Sequence, residues 1–263
     1  MKEIITSVQN PKIKNVVLLL EKSQERRKQQ LMVVEGKREI TLALKYQYQL
    51  EALYVYESIA VGLPEGSVDI PSSKVTLVAK NVFEKMAKRE HSDGLIAVFR
   101  PKNHLLSQVK LSDTPLVIVL ESVEKPGNLG AILRTADAAK VDAVIICDPR
   151  TDIYNPNTIR SSIGCLFSTQ VGVGTNEEVL EWLNKNQITS YAAALTAGSF
   201  YHHKDFSSPA AFIMGTEASG LTGFWLNNSS EQVKIPMLGA IDSLNVSTST
   251  AILVFEAKRQ RGF

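Results

Sequence analysis

Residues 115–138 read PLVIVLESVEKPGNLGAILRTADA. An apolar run over 116–121 stops at Glu121, a turn with Pro126, Gly127 and Gly130 follows, and apolar periodicity then predicts a helix over 129–139. The run is apolar at successive positions, so both of its faces require cover. That pattern belongs to a parallel strand with helices on both sides of its sheet. Further strands are expected at AVIIC, STQVGV, ITSYAAAL, AFIMG and QVKIPM, and further helices at 156–165, 176–186 and 245–260. Residues 114–263 are therefore expected to be an α/β domain with a parallel sheet, in which ligands sit beyond the carboxyl ends of the strands.

Upstream the alternation is shorter. Ile13, Val16, Val17 and Leu20 have helical spacing, and EKSQERRKQQ continues as a polar, basic stretch. LMVVEG, LEALYVYE, KVTLVA and GLIAVFR read as strands, with helices at KREITLALKYQ and NVFEKMAK and a loop over 57–73 containing Gly62, Pro64, Gly66 and Pro71. A smaller α/β module over 1–100 is expected, joined by a linker over 101–113, which has no sustained periodicity.

A chain of 263 residues with 44% hydrophobic and 21% charged residues can bury a sizeable core. No apolar run approaches the roughly 18 residues of a membrane span, and the N-terminus lacks the apolar centre of a signal peptide. Cys147 and Cys165 lie in apolar surroundings and are expected to be buried free thiols. A cytoplasmic protein is the expectation. Residues 1–113 hold 18 Lys and Arg against 13 Asp and Glu, whereas 114–263 hold 11 against 14. A basic front half suits contact with phosphates.

Three turns at expected strand ends are rich in glycine and small polar residues. In the first, Asn128 capping the helix and Arg134 pairing with Asp137 would account for the composition without a ligand. Yet Arg134 is flanked by Ile132 and Leu133, where a guanidinium could hold a phosphate or an alkoxide. The second, FIMGTEASGL over 212–221, spaces Gly215 and Gly220 like a phosphate loop, but Leu221 stands where such a loop needs lysine. Glu217 there favours a cationic or hydrogen-donating ligand. In the third, IPMLGAIDSLNVS over 235–247, Pro236 ends a strand and Ser243, Asn245 or Ser247 could cap the last helix. One cap is enough, so the surplus of polar groups points to a ligand. Other signatures fail: GVGTNE at 172–177 lacks the third glycine of a dinucleotide fingerprint, and His91, His104, His202 and His203 lack metal-ligand spacing. No metal is expected.

In their order, N-x-G-x-x-x-R-T-A (128–136), G-x-E-x-x-G-L (215–221) and I-P-M-x-G-x-x-x-S-L-N-V-S (235–247) resemble the SpoU, or TrmH-type, RNA 2′-O-ribose methyltransferases of the SPOUT class. The match covers essentially all of 114–263. The front half is similar to that family's L30e/L7Ae-like substrate-binding domain, most visibly in VVEGKREITLAL and HSDGLIAVF. STSTAILVFE is more polar than the family's usual last helix, and HSDG replaces a more common His-Gln-Gly.

The resemblance implies a deep C-terminal trefoil knot, a homodimer, and S-adenosylmethionine held by loops around Leu195, Gly215, Glu217, Gly220, Ile235, Met237, Leu244, Asn245 and Ser247. Asn128, Arg134, Glu217, Ser243 and Asn245 would form the catalytic group, with Arg134 stabilising an alkoxide and anchoring a phosphate. The front module would hold structured RNA through Lys12, Lys14, Arg26, Arg27, Lys28, Lys37 and Arg38. Ribosomal RNA of the 23S type is the favoured substrate; transfer RNA, or RNA binding without catalysis, are the alternatives.

Overall fold

The computed structural model describes residues 4–60, 70–89 and 92–263. His91 and most of the expected loop over 57–73 lie outside the described residues. The chain divides into two compact units, 1–103 with 152–168, and 104–151 with 169–263.

In the first unit β1 (Ile4–Ile5) precedes α1 (Pro11–Glu21). The Asn10 side chain caps α1 by accepting from the Lys12 N–H at 2.9 Å, and Pro11 occupies the first turn, where no N–H is needed. The helix buries Ile13, Val16, Leu19 and Leu20. The chain extends at Lys22 and re-enters a helix, α2 (Ser23–Gln29), so the basic stretch is a separate element. Then come β2 (Met32–Glu35), α3 (Lys37–Lys45), β3 (Leu50–Val55), β4 (Val75–Val78), α4 (Lys80–Met86) and β5 (Leu95–Phe99). The sheet order is β1-β4-β3-β5-β2, with β5 antiparallel to both its neighbours and the other pairs parallel.

Arg26 corrects the expectation of a surface phosphate contact. It is only 4% exposed, its Nε donates to Asp152 at 2.6 Å, and its Nη1 donates to the carbonyls of Leu19 and Leu20. Those carbonyls belong to the last turn of α1, which lacks intrahelical donors, and a cation there is doubly favoured. Lys12, Lys14, Arg27, Lys28 and Arg38 remain exposed, and Lys37 is half-buried.

The second unit holds β6 (Leu116–Glu121), α5 (Pro126–Ala138) and β7 (Ala143–Cys147). The chain then supplies α6 (Pro156–Ser161) and α7 (Cys165–Ser168) to the first unit. The helix expected over 156–165 is thus two short ones, broken at Ile163 and Gly164, both at positive φ. Gly164 sits tight against Leu42 and Glu39 of α3, where a side chain would collide. Residues 152–168 lie within the stretch expected as the second domain, 114–263, and pack with the first unit. The expected linker is also not free chain: His104 and Leu105 pair with β8 (Val171–Gly174), and Leu106, Val109 and Leu111 pack on the second unit's core.

After β8 follow α8 (Asn176–Lys185), β9 (Thr189–Ala193), β10 (Ala210–Met214), α9 (Gly223–Asn228), β11 (Glu231–Val233) and α10 (Val246–Arg261). All six strands are parallel in the order β11-β9-β10-β6-β7-β8. Every residue of β6, β7 and β10 is buried, as the continuous apolar runs require. From β6 the chain winds one way through β7 and β8; β9, β10 and β11 fill the opposite side. The crevice between the carboxyl ends of β6 and β10 is the place where parallel sheets bind ligands.

Candidate functional site

A pocket of about 790 Å³ opens at the carboxyl ends of β9, β10 and β11, in the second unit. Its walls are the segments after β9 (193–196), after β10 (214–221), after β11 (233–237) and before α10 (242–246), closed below by Ser249 and Leu253. The 214–221 segment is a tight hairpin: Thr216 and Gly220 exchange backbone hydrogen bonds at 3.0 Å, and the Thr216 and Ser219 hydroxyls bond at 2.8 Å. Gly220 has φ +68°, and Gly215 lies so close to the Gly220 backbone that no Cβ fits. Both glycines are thus required by the turn itself.

The charged lining residues are Glu217, Asp242 and Lys234. Leu195, Gly215, Gly220, Ile235, Met237, Ser243, Leu244 and Asn245 also line the pocket, so most of the expected cofactor contacts meet there. Ser247 does not line it: its N–H and hydroxyl both donate to Asn245 Oδ1, at 2.8 and 2.6 Å.

Asn245 is the cap of α10, which settles which polar residue of the third turn has that task. With its Oδ1 fixed by those two donors, Asn245 presents Nδ2 to Asn128 Oδ1 at 3.3 Å. Asn128 is not a helix cap, because α5 begins earlier, at Pro126. Its Nδ2 is buried and has no hydrogen-bond partner among the described residues. A buried donor left unmatched costs about 1–3 kcal/mol, so this amide is poised for an acceptor. Arg134 lies farther along α5, on its exposed face and outside the pocket lining, with no side-chain hydrogen bond or ion pair among the described residues. Glu217 pairs with Lys125, the residue just before α5.

One supporting group escaped the sequence reading. Glu121, 1% exposed at the end of β6, accepts from the Thr222 N–H (2.8 Å), the Thr222 hydroxyl (2.6 Å) and Asn176 Nδ2 (3.0 Å). Asn176 in turn accepts from the indole of the buried Trp225. This network ties the residue following the 214–221 hairpin to the central strand. The only hint was a carboxylate ending an apolar run. Burial and nearby carboxylates push the Cys147 thiol up, which removes it as a nucleophile. Among the described residues no cluster of His, Cys, Asp or Glu could hold a metal ion, and no helix is long and apolar enough to cross a membrane.

Comparison with known proteins gives the constellation its context. Residues 115–255 match the SpoU rRNA Methylase family, and residues 10–97 match the MRM3-like substrate binding domain. The 23S rRNA (guanosine(2553)-2'-O)-methyltransferase RlmP of Bacillus subtilis is 29% identical over 97% of this chain and 98% of its own. The 23S rRNA (guanosine-2'-O-)-methyltransferase RlmB of Photorhabdus laumondii is 35% identical over 64% of this chain and 71% of its own. A crystal structure of an RNA 2'-O ribose methyltransferase superposes with a TM-score of 0.85 at 37% identity, covering 99% of this chain and all of that one. An AdoMet-bound rRNA methyltransferase from Sinorhizobium meliloti gives 0.87 at 25% identity, covering 98% and 97%. With the family's model spanning more than half of the chain, including all but the last few residues of the pocket unit's α10, the protein belongs to the SpoU rRNA methylase family.

Proposed function

We propose that this chain is an S-adenosylmethionine-dependent 2′-O-ribose methyltransferase acting on ribosomal RNA of the 23S type. The observation that carries the reading is one pocket walled by the 214–221 hairpin and the segments 233–237 and 242–246, whose Asn245 holds Asn128, an amide with an unmatched donor among the described residues. The pocket is of the size that encloses a nucleoside-sized ligand. Its two carboxylates against one ammonium suit a ligand carrying a sulfonium and an amino group.

When bound, S-adenosylmethionine supplies a methyl group made electrophilic by its sulfonium. The segments around Leu195, Gly215, Glu217, Gly220, Ile235, Met237 and Leu244 would hold it. The chain's own task is to position a ribose 2′-hydroxyl and lower the cost of its deprotonation. Asn128, oriented by Asn245, offers Nδ2 to a ribose oxygen, and Ser243 and Glu217 complete the polar wall. A guanidinium offers five N–H donors and no acceptor, so Arg134 acts as a donor to the developing alkoxide and the adjacent phosphate and not as a base. The proton passes to phosphate or solvent. The reading includes the knotted C-terminal segment, homodimeric assembly, a cytoplasmic site of action and RNA capture by Lys12, Lys14, Arg27, Lys28, Lys37 and Arg38.

The test is methyl transfer from radiolabelled S-adenosylmethionine to unmodified 23S rRNA, followed by digestion to nucleosides. Label on a single 2′-O-methyl nucleoside in 23S rRNA, and none in transfer RNA, is expected. Label on a base, or on transfer RNA instead, overturns the substrate assignment; no label on any RNA overturns the enzyme.

A further inference from the structure

The turn between β9 and β10 carries four rings in succession, Phe200, Tyr201, His202 and His203, which none of the site chemistry above uses. Phe200 and His202 are parallel within 5°, with centroids 5.7 Å apart. His203 stands edge-on to His202 at 4.4 Å, and Tyr201 edge-on at 5.3 Å. Both histidines are exposed, while Phe200 and Tyr201 are half-buried beneath them. Lys234 places its Nζ 5.3 Å from the Phe200 centroid and has no carboxylate partner among the described residues.

The turn is held rigidly and in register with the pocket. Lys234 N–H donates to Ser199 O and Tyr201 N–H donates to Lys234 O, both at 3.0 Å. Lys234 also lines the pocket, next to Ile235. At the other end Gln260 of α10 donates to Lys204 O and accepts from the Phe206 N–H. The neighbouring carboxylates Glu231 and Glu256 are paired with Lys204 and Arg259, Glu256 also faces His202 and Arg259 faces Tyr201, and Lys234 adds a cation over Phe200.

We propose that this turn is a stacking platform for unpaired bases of the substrate RNA, flanking the nucleotide whose ribose is methylated. The inference rests on the RNA-methyltransferase reading and deepens it. Rings that are exposed, already stacked and backed by a cation are the means by which proteins hold single-stranded RNA, because any base offers a π face. Methyl transfer to a ribose leaves the base unread by the catalytic group, and a platform beside the pocket fixes the strand without demanding one sequence. Lys234 is placed for the phosphate between stacked bases.

The probe is a single-stranded RNA hexamer containing one 2-aminopurine, titrated with the full chain. The expected result is fluorescence quenching on binding, with the His202→Ala/His203→Ala variant about tenfold weaker and unquenched. The His202→Phe/His203→Phe variant retains affinity and quenching, which a hydrogen-bonding or charge role would not allow. With 23S rRNA the alanine pair raises KM about tenfold, while the calorimetric affinity for S-adenosylmethionine is unchanged. Equal quenching and KM in wild type and the alanine pair, or no binding of the hexamer, overturns the platform. Absence of methyl transfer by the wild type overturns the enzyme reading instead, and the hexamer titration then still decides the platform.

Discussion

Helix α2 of the first unit and helix α5 of the second each carry an arginine, and the two are used in opposite ways. Arg26 is buried, with its donors directed to Asp152 and to the last carbonyls of α1. Arg134 is exposed on α5, and its side chain has no acceptor among the described residues. A satisfied guanidinium holds structure; an unsatisfied one on a helix beside a pocket is available to a substrate. The contrast teaches that the charge of a segment says little about its partner until each donor is accounted for.

The sharpest way to break this contrast is Arg26→Ala. It strands the Asp152 carboxylate and the α1 carbonyls, and is expected to destabilise the first unit by about 3–5 kcal/mol. Hydrogen exchange across residues 11–29 would register it; unaltered protection there would place Arg26 among the dispensable surface cations. Next comes Arg134→Ala, expected to slow methyl transfer by about 10²–10³-fold with unchanged folding stability and cofactor affinity. Arg134→Lys should stay impaired because a point charge cannot replace the planar fork. Wild-type turnover in either variant would remove Arg134 from the mechanism.

A smaller effect is expected for Glu121→Gln. The amide offers one acceptor where three donors converge, so a loss of about 1–3 kcal/mol in stability is expected, with weaker S-adenosylmethionine binding in calorimetry. A stability loss with intact binding would mean that the network supports the core and not the hairpin. Smallest is Lys125→Ala, which removes an ion pair whose cation is 69% exposed. Its cost should lie within about 0–1 kcal/mol in thermal unfolding; a larger loss would give the pair a role in holding the pocket shut.

Local patterns carried the strands and the three turns. β6, β7 and β10 were legible because a strand buried on both faces must be apolar throughout, and the glycines at 215 and 220 because only they fit that hairpin. The rest depends on partners far along the chain. Arg26 sits in a basic run, and nothing near it announces an aspartate 126 residues away. Asn128 looks like a cap until Asn245, 117 residues later, is seen to fix its amide. The break between α6 and α7 is set by the close approach of α3 to Gly164, and the linker's packing by an edge strand that periodicity cannot assign to it. Of the expected catalytic group, Asn245, Ser243 and Glu217 line the pocket and Asn128 is bonded to Asn245, whereas Arg134 lies on the exposed face of α5.

The position of β6 in its sheet has a consequence for how the protein is made. One neighbour, β7, follows it closely in the chain, but the other, β10, pairs Ala210 with Leu116 across about 90 residues. At translation speeds of roughly 5–20 residues per second, a fully apolar strand edge waits on the order of 5–20 s for its partner. During that interval the nascent domain offers a ready template for pairing with another chain. Shielding by the synthesis machinery or a chaperone, and not the strength of the finished core, then governs how much of the protein reaches its native state.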